Sequence, residues 1–489
     1  MYTSHPEQPA RIDACVDLLT EKYNIPPLVD DDDIDDDTND RKDGRFNNNA
    51  INNNSIVTLI DVASSSQSTS AHQYQPFTNQ ELNHARSILT SIHSGKHVST
   101  IEQRCRSSRS RRVEEGKAPL GFVGYIDDDT YLTTESFDVC LRATAAWIKA
   151  VDHVLGTFGK KEKVRVGREM DVGIKEYDIN DNNDFSSAGI FCSDDSVPST
   201  IIPAAIALTR PPGHHATPTL SNGFCLFNFC AAAAIHAISS RRVKVAIIDW
   251  DVHYGQGTAA IIRSKIETNN NDDNNVDDID IAKYIRYVSV HQSPAFPYMG
   301  DEYSRDSNGS NSNSNDGANN NNNILTVPIP PGSTWENGFK DGLQVAFDFA
   351  LGLGNENDGH VNDHNDGNYS LEQNIIQDDD EKCWTPDLII VSSGYDGLYS
   401  DELASVGLHS KDYGKSTKML LEYMRRTEQQ QQRRSRGREE DTGVIGGNNC
   451  RMGLVLGLEG GYSLANDVPG GNLQYAVLET VESLRLQSL

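Results

Sequence analysis

Short apolar runs rich in β-branched residues recur along this chain, and most are separated by segments long enough to hold a helix. The runs are Ile56–Val62, Ile201–Leu208, Val243–Trp250, Tyr284–Val290, Leu388–Ser392 and Gly453–Leu458. They are apolar at consecutive positions rather than alternate ones, which is the pattern of strands covered on both faces. Among the intervening segments, Phe137–Leu155 places Phe137, Leu141, Ala145, Ile148, Val151 and Leu155 on one helical face, and Phe229–Ser239 is an alanine-rich helix. Strands interleaved with helices imply right-handed crossovers. The expected fold class is therefore α/β, with a mostly parallel multi-stranded sheet and helices on both faces. Ligands of such sheets bind at the carboxyl ends of the strands, and the polar clusters of this sequence lie there.

Low-complexity segments interrupt the pattern at 30–54, 104–116, 269–280, 304–323, 354–381 and 427–449. Rich in Asn, Asp and Ser, or in Gln and Arg, they carry too little apolar surface to offset the entropy of ordering them. They read as disordered loops inserted into a single domain spanning 1–489, with no internal repeat. The formal charge is −28, which argues against direct nucleic-acid binding, since that requires cationic surface. The acidic runs Asp30–Asp37 and Asp378–Glu381 read as solvated loops, as do the arginine patches at Arg104–Arg112 and Arg433–Arg438. Eight cysteines lack any CxxC pair, the closest two being Cys225 and Cys230. That usage favours a reducing compartment, cytoplasmic and/or nuclear. No apolar run approaches membrane-spanning length, so no membrane partner is expected. The N-terminal stretch lacks signal- or transit-peptide character, with an organellar leader left open if sequence precedes it.

Four clusters carry chemistry. Arg210-Pro-Pro-Gly-His214-His215 follows the second apolar run, with two adjacent histidines in a rigid turn. Asp249, Asp251 and His253 lie at alternate positions after the third, so an extended backbone points all three one way. Carboxylates at the end of a buried strand need partners, and an Asp and a His at that spacing can share a metal ion. Ser392-Ser393-Gly394-Tyr395-Asp396-Gly397 follows the fifth run and offers Asp396 as a third ligand. Two carboxylates and one imidazole suit Zn²⁺ and tolerate Fe²⁺, and three protein ligands leave a position open for water. Glu459-Gly460-Gly461-Tyr462 follows the sixth run, where the glycines allow a tyrosine hydroxyl to approach a site. Each cluster taken singly also reads as an ordinary polar turn. Gly414-Lys415-Ser416-Thr417 lacks the upstream glycine of a phosphate-binding loop, with His409 in its place.

Together with His5-Pro6-Glu7-Gln8-Pro9-Ala10-Arg11, Gly223-Phe224-Cys225 and Ser289-Val290-His291, these segments resemble the histone deacetylase family in order and spacing. Details such as Asp249-Trp250-Asp251-Val252 look like its class II and bacterial-type branch. The resemblance implies an arginase–deacetylase fold and a zinc-dependent lysine deacetylase, with roles in chromatin regulation and corepressor-type partners. It implies one Zn²⁺ held by Asp251, His253 and Asp396. His215 would be the general base, and His214, paired with Asp249, would share in proton delivery. Tyr462 would donate to the oxyanion. Gly223, Phe224, Phe296 and Leu403 would line the acyl-lysine tunnel, and Arg11 would line an internal channel. A structural K⁺ would use Asp249, Asp251, His253, Ser289 and Val290.

Two positions depart from the family pattern. Tyr254 stands where a second histidine is usual, and Gln256 stands where an Asp or Asn partners His215. A neutral amide orients His215 without raising its basicity, so an altered pH profile is expected. Leu403 stands where polyamine deacetylases carry an acid, which favours acetyl-lysine over acetylpolyamines or other small N-acyl amines. Tyr254 and Gly397 occupy positions where a two-manganese, arginase-type site would need ligands, so a single metal is expected. The intact site residues weigh against a third reading, a non-catalytic acyl-lysine-binding scaffold.

Overall fold

The computed structural model describes residues 5–23, 57–61, 77–156, 201–269, 279–300, 304–307, 322–353, 384–442, 451–464 and 471–488. Its strands are β1 (Val57–Asp61), β2 (Phe122–Tyr125), β3 (Tyr131–Thr133), β4 (Ala204–Leu208), β5 (Val245–Asp249), β6 (Ile285–Gln292), β7 (Ser304–Ser307), β8 (Asn322–Ile329), β9 (Leu388–Ser393) and β10 (Gly453–Leu458). The helices are α1 (Ala10–Tyr23), α2 (Asn79–Ile92), α3 (Gly95–Glu114), α4 (Ser136–Gly156), α5 (Phe229–Arg241), α6 (Gln256–Asn269), α7 (Phe339–Leu351), α8 (Ser410–Thr442) and α9 (Leu473–Arg485).

Eight strands form one sheet in the order β1-β4-β10-β9-β5-β6-β8-β7, and β2 pairs with β3 separately. Every neighbour in the large sheet is parallel except β7 with β8. The fold class is as expected. Successive strand residues face opposite sides, which explains the continuous apolar runs. Ile206, Ile248, Val391 and Leu456 pack with α1, α7, α8 and α9 on one face. Ala205, Ile247, Ile390 and Val455 pack with α2 through α6 on the other.

Three segments expected as disordered inserts differ. Residues 104–116 are largely the second half of α3. In the first half of the helix Val98 and Ile101 are buried, as is Cys105 just beyond, and Glu102 pairs with Arg86 and Arg106. Arginine is a good helix former, so an anchored first half carries the helix onward. Residues 427–442 likewise continue α8, because its packed part, including Leu420, Leu421 and Met424, nucleates a Gln/Arg/Glu tract of high helical propensity. Within 304–323 lie β7 and the start of β8, an edge pairing made by backbone groups and so independent of apolar content. Asn323 is buried there and donates through Nδ2 to the Ala282 and Ile285 carbonyls at 2.7 and 2.6 Å. The inserts at 30–54 and 354–381 lie outside the described residues, as does 269–280 apart from its ends. Among the described residues no helix is long and apolar enough to cross a membrane.

Candidate metal centre and active site

The four polar clusters are far apart in the chain, yet they follow four strands that are contiguous in the sheet, β4, β10, β9 and β5. Asp249 at the end of β5 stands beside Ser392 of β9, and Leu458 of β10 beside Ser393. The turns that leave these strands therefore converge at one sheet edge.

Asp251, His253 and Asp396 are buried, with one potential ligand atom from each lying within 4.8 Å of the others. His253 Nδ1 is 3.2 Å from Asp251 Oδ1 and 2.9 Å from Asp396 Oδ2. His253 Nε2 faces the Leu403 carbonyl at 3.4 Å, which directs its proton there and leaves Nδ1 to ligate. Backbone amides brace the carboxylates. Val252 N donates to Asp396 at 3.0 Å, His253 N to Asp251 at 2.9 Å and Gly460 N to Asp251 at 2.8 Å.

The electrostatics are those of a cation site. Burial would push the His253 imidazole down, but Asp396 and Asp251 outweigh it and hold it well above its usual range. Burial and the neighbouring Asp251 charge raise the Asp396 carboxyl. The field that keeps a proton on His253 would equally favour a divalent ion, which must displace that proton to bind. Two hard oxygens and one imidazole nitrogen, with further positions open, fit zinc.

Beside this cluster, His214 Nδ1 bonds Asp249 Oδ2 at 3.1 Å, and Asp249 also accepts from the Tyr287 hydroxyl at 2.9 Å. Burial opposes charge on His214, yet Asp251 and Asp249 raise it to about 10. His215 behaves oppositely. Burial and the cationic neighbours His214 and His253 lower it well below its usual value. Its Nδ1 meets Gln256 Oε1 at 2.6 Å. The amide oxygen can only accept, so His215 carries its proton on Nδ1 and offers a free lone pair at Nε2. Adjacent imidazoles, 3.9 Å between ring centroids, are thus held one charged and one neutral.

Aromatic rings pack against the cluster. Phe296 stands edge-on to His215 at 5.0 Å and to His253 at 6.2 Å. Phe224 stands edge-on to Tyr462 at 5.5 Å. Gly223 and Phe224 both adopt left-handed backbone, with φ of 52° and 68°. A Cβ on Gly223 would sit 2.6 Å from the His215 ring and 2.9 Å from Phe296. Leu403 is 38% exposed, while its carbonyl faces His253. The Arg11 guanidinium lies 4.5 Å from the Tyr462 ring centroid, and its Nε donates to the Gly461 carbonyl at 2.7 Å.

The residues expected to be catalytic, to hold zinc and to line a tunnel thus lie in one neighbourhood. The residues named for potassium are adjacent, Asp249 pairing in register with Ser289. Their side chains are engaged elsewhere, with Ser289 Oγ on His291 Nδ1 at 3.0 Å and Val290 in the apolar core. His291 is a core histidine, its Nε2 bonded to the Gly300 carbonyl at 2.9 Å.

Sequence reasoning assigned no role to three residues. Tyr287 holds Asp249. Glu459 accepts from the Gly213 and His214 amides and from Ser392 Oγ at 2.7 Å, and burial raises its carboxyl to about 7. Asp401 accepts from the Tyr462 amide at 2.7 Å. A tyrosine in an apolar run and acids in turns carry no signal by themselves. Glu459, sitting at the end of a buried strand, had the one legible cue.

A family model described as "Histone deacetylase domain" matches residues 51–432. An uncharacterized protein of Synechocystis is 28% identical over 382 residues, which cover 78% of this chain and 80% of that protein. The histone deacetylase-like amidohydrolase of Pseudomonas aeruginosa is 30% identical over 285 residues, 58% of this chain and 53% of that protein. This second match thus spans about half of its relative's length. The crystal structure of the HDA15 HD domain superimposes with a TM-score of 0.50 at 18% identity, covering 99% of this chain and 84% of that one. At that identity the likeness concerns the fold.

Proposed function

The chain belongs to the histone deacetylase domain family, and on that premise we propose that it is a zinc-dependent lysine deacetylase, hydrolysing N-acetyl-lysine in proteins or peptides to lysine and acetate. The observation that carries the proposal is the buried Asp251–His253–Asp396 cluster beside one charged and one neutral histidine.

A zinc ion on Asp251, His253 and Asp396 would supply Lewis-acid polarisation of the acyl carbonyl and lower the pKa of water beside it. The chain's own groups do the rest. His215, neutral and with its lone pair directed by Gln256, takes the proton of the attacking water at Nε2. His214, kept cationic by Asp249 and Asp251, faces the same space and shares with His215 the return of a proton to the leaving amine. Tyr462 donates its hydroxyl to the developing oxyanion. Burial holds that phenol well above its usual pKa, so it stays a donor at neutral pH. Such a donor is worth about 3 kcal/mol. Phe224 and Phe296 exclude water from a linear acyl-lysine stem.

Leu403 at the mouth favours a neutral stem over the second cation of an acetylpolyamine. The test is metal analysis of the purified protein, followed by turnover of acetyl-lysine peptides and acetylated polyamines side by side. Chelation should abolish activity and zinc restore it. Tyr462→Phe should lower kcat by roughly a hundredfold or more with little change in KM. Leu403→Glu should shift preference toward polyamines. Chelator-insensitive turnover, or a wild-type rate in Tyr462→Phe, would refute the mechanism.

A further inference from the structure

We propose that Asp401 is a positioning residue for Tyr462, a role that rests on the deacetylase reading above. Tyr462 follows Gly460 and Gly461, and Gly461 has φ of 113°, so the segment carrying the hydroxyl has little conformational restraint of its own. Restraint must come from outside. Arg11 supplies it on one side, through the Gly461 carbonyl. Asp401 supplies it on the other.

The Asp401 carboxylate is buried and both its oxygens are engaged. Oδ2 accepts from the Tyr462 amide at 2.7 Å, and Oδ1 from the Leu403 amide at 3.1 Å. The Leu403 carbonyl in turn faces His253 Nε2 at 3.4 Å. One continuous path of hydrogen bonds therefore joins a metal ligand, a mouth residue and the oxyanion donor. Both partners of Asp401 are N–H groups, each meeting a different oxygen, so the position needs two acceptor oxygens, where an amide offers one oxygen and a donating NH2. The clip is reinforced next door, where Ser400 Oγ meets Ser463 Oγ at 2.8 Å and donates to the Gly471 carbonyl. Asp401 touches no reacting atom in this scheme and acts through the placement of Tyr462.

The experiment compares Asp401→Asn and Asp401→Ala, each alone and combined with Tyr462→Phe. It measures zinc content, kcat and KM on an acetyl-lysine peptide, and hydrogen exchange of the segment containing Tyr462. Asp401→Ala should keep its zinc and lower kcat by roughly ten- to a hundredfold, with KM within about threefold. Asp401→Asn, keeping one acceptor, should fall between. In the Tyr462→Phe background neither change should cost further rate, because the group being positioned is already gone. The Tyr462 amide should exchange about tenfold faster or more without Asp401. Additive losses in the double variants, or an unchanged exchange rate, would overturn the proposal. Should Asp401→Ala lose zinc or fail to fold, Asp401→Asn carries the same comparison. The exchange measurement does not depend on turnover. It therefore judges the Asp401 clip even if Tyr462→Phe turns over at the wild-type rate, which would instead overturn the deacetylase reading.

Discussion

Adding one methyl group, Gly460→Ala, should abolish metal binding at the proposed zinc centre while leaving the fold standing. The Gly460 amide already touches Asp251 Oδ2 at 2.8 Å. A Cβ on Gly460 would lie 2.3 Å from Asp396 Oδ2 and 2.5 Å from Asp251 Oδ2, whereas ordinary contact begins at 3.4 Å. The Asp396 oxygen must retreat by about 1.1 Å and the Asp251 oxygen by about 0.9 Å, whereas metal–ligand distances tolerate only about 0.2 Å. Without metal the two carboxylates can rotate aside, at the cost of overpacking, about 1–3 kcal/mol. With metal they cannot yield without giving up coordination, so the loss falls on binding. Zinc affinity should drop by at least about a hundredfold, beyond the effect of removing a partner that merely orients a ligand. Elemental analysis and competition with a chromophoric chelator measure the loss, and circular dichroism with thermal melting shows whether the fold survives. A folded Gly460→Ala protein that binds one equivalent of zinc with wild-type affinity would show that Asp251 and Asp396 are not the ligands, or that Gly460 is not against them.

Two further outcomes follow from the histidines. Gln256→Glu places a carboxylate against His215 Nδ1 at the present 2.6 Å and favours the imidazolium. The acid limb of kcat/KM should move up by about 1–3 pH units, and a limb that stays put would remove His215 as the base. His93 is buried, and its Nδ1 bonds the Thr217 carbonyl at 2.8 Å while Nε2 accepts from the Asn228 amide at 3.0 Å. Burial, and then His97, lower it from 6.5 to about 3. The unfolded chain therefore binds the extra proton first, and stability should fall as pH drops from 6.5 towards 3. Denaturant midpoints across that range should decline less steeply in His93→Gln, and parallel curves would contradict the assignment.

The continuous apolar runs determined, from sequence alone, a parallel sheet buried on both faces, because only strands covered by helices tolerate such composition. The spacing of Asp249, Asp251 and His253 likewise determined that their side chains share a direction, a consequence of backbone period. Composition misled at α3, at α8 and at the β7–β8 edge. There helix propagation from a packed segment and backbone pairing outweighed the absence of apolar side chains. The strand order was decided only in three dimensions, and with it the meeting of residues as distant as His214, Asp396 and Tyr462. So was the work of Tyr287, Glu459 and Asp401, whose identities say nothing of their partners. Local periodicity is written into neighbouring residues, whereas the contacts that tune a buried charge join segments from about 35 to about 250 residues apart and exist only once the sheet has closed around them.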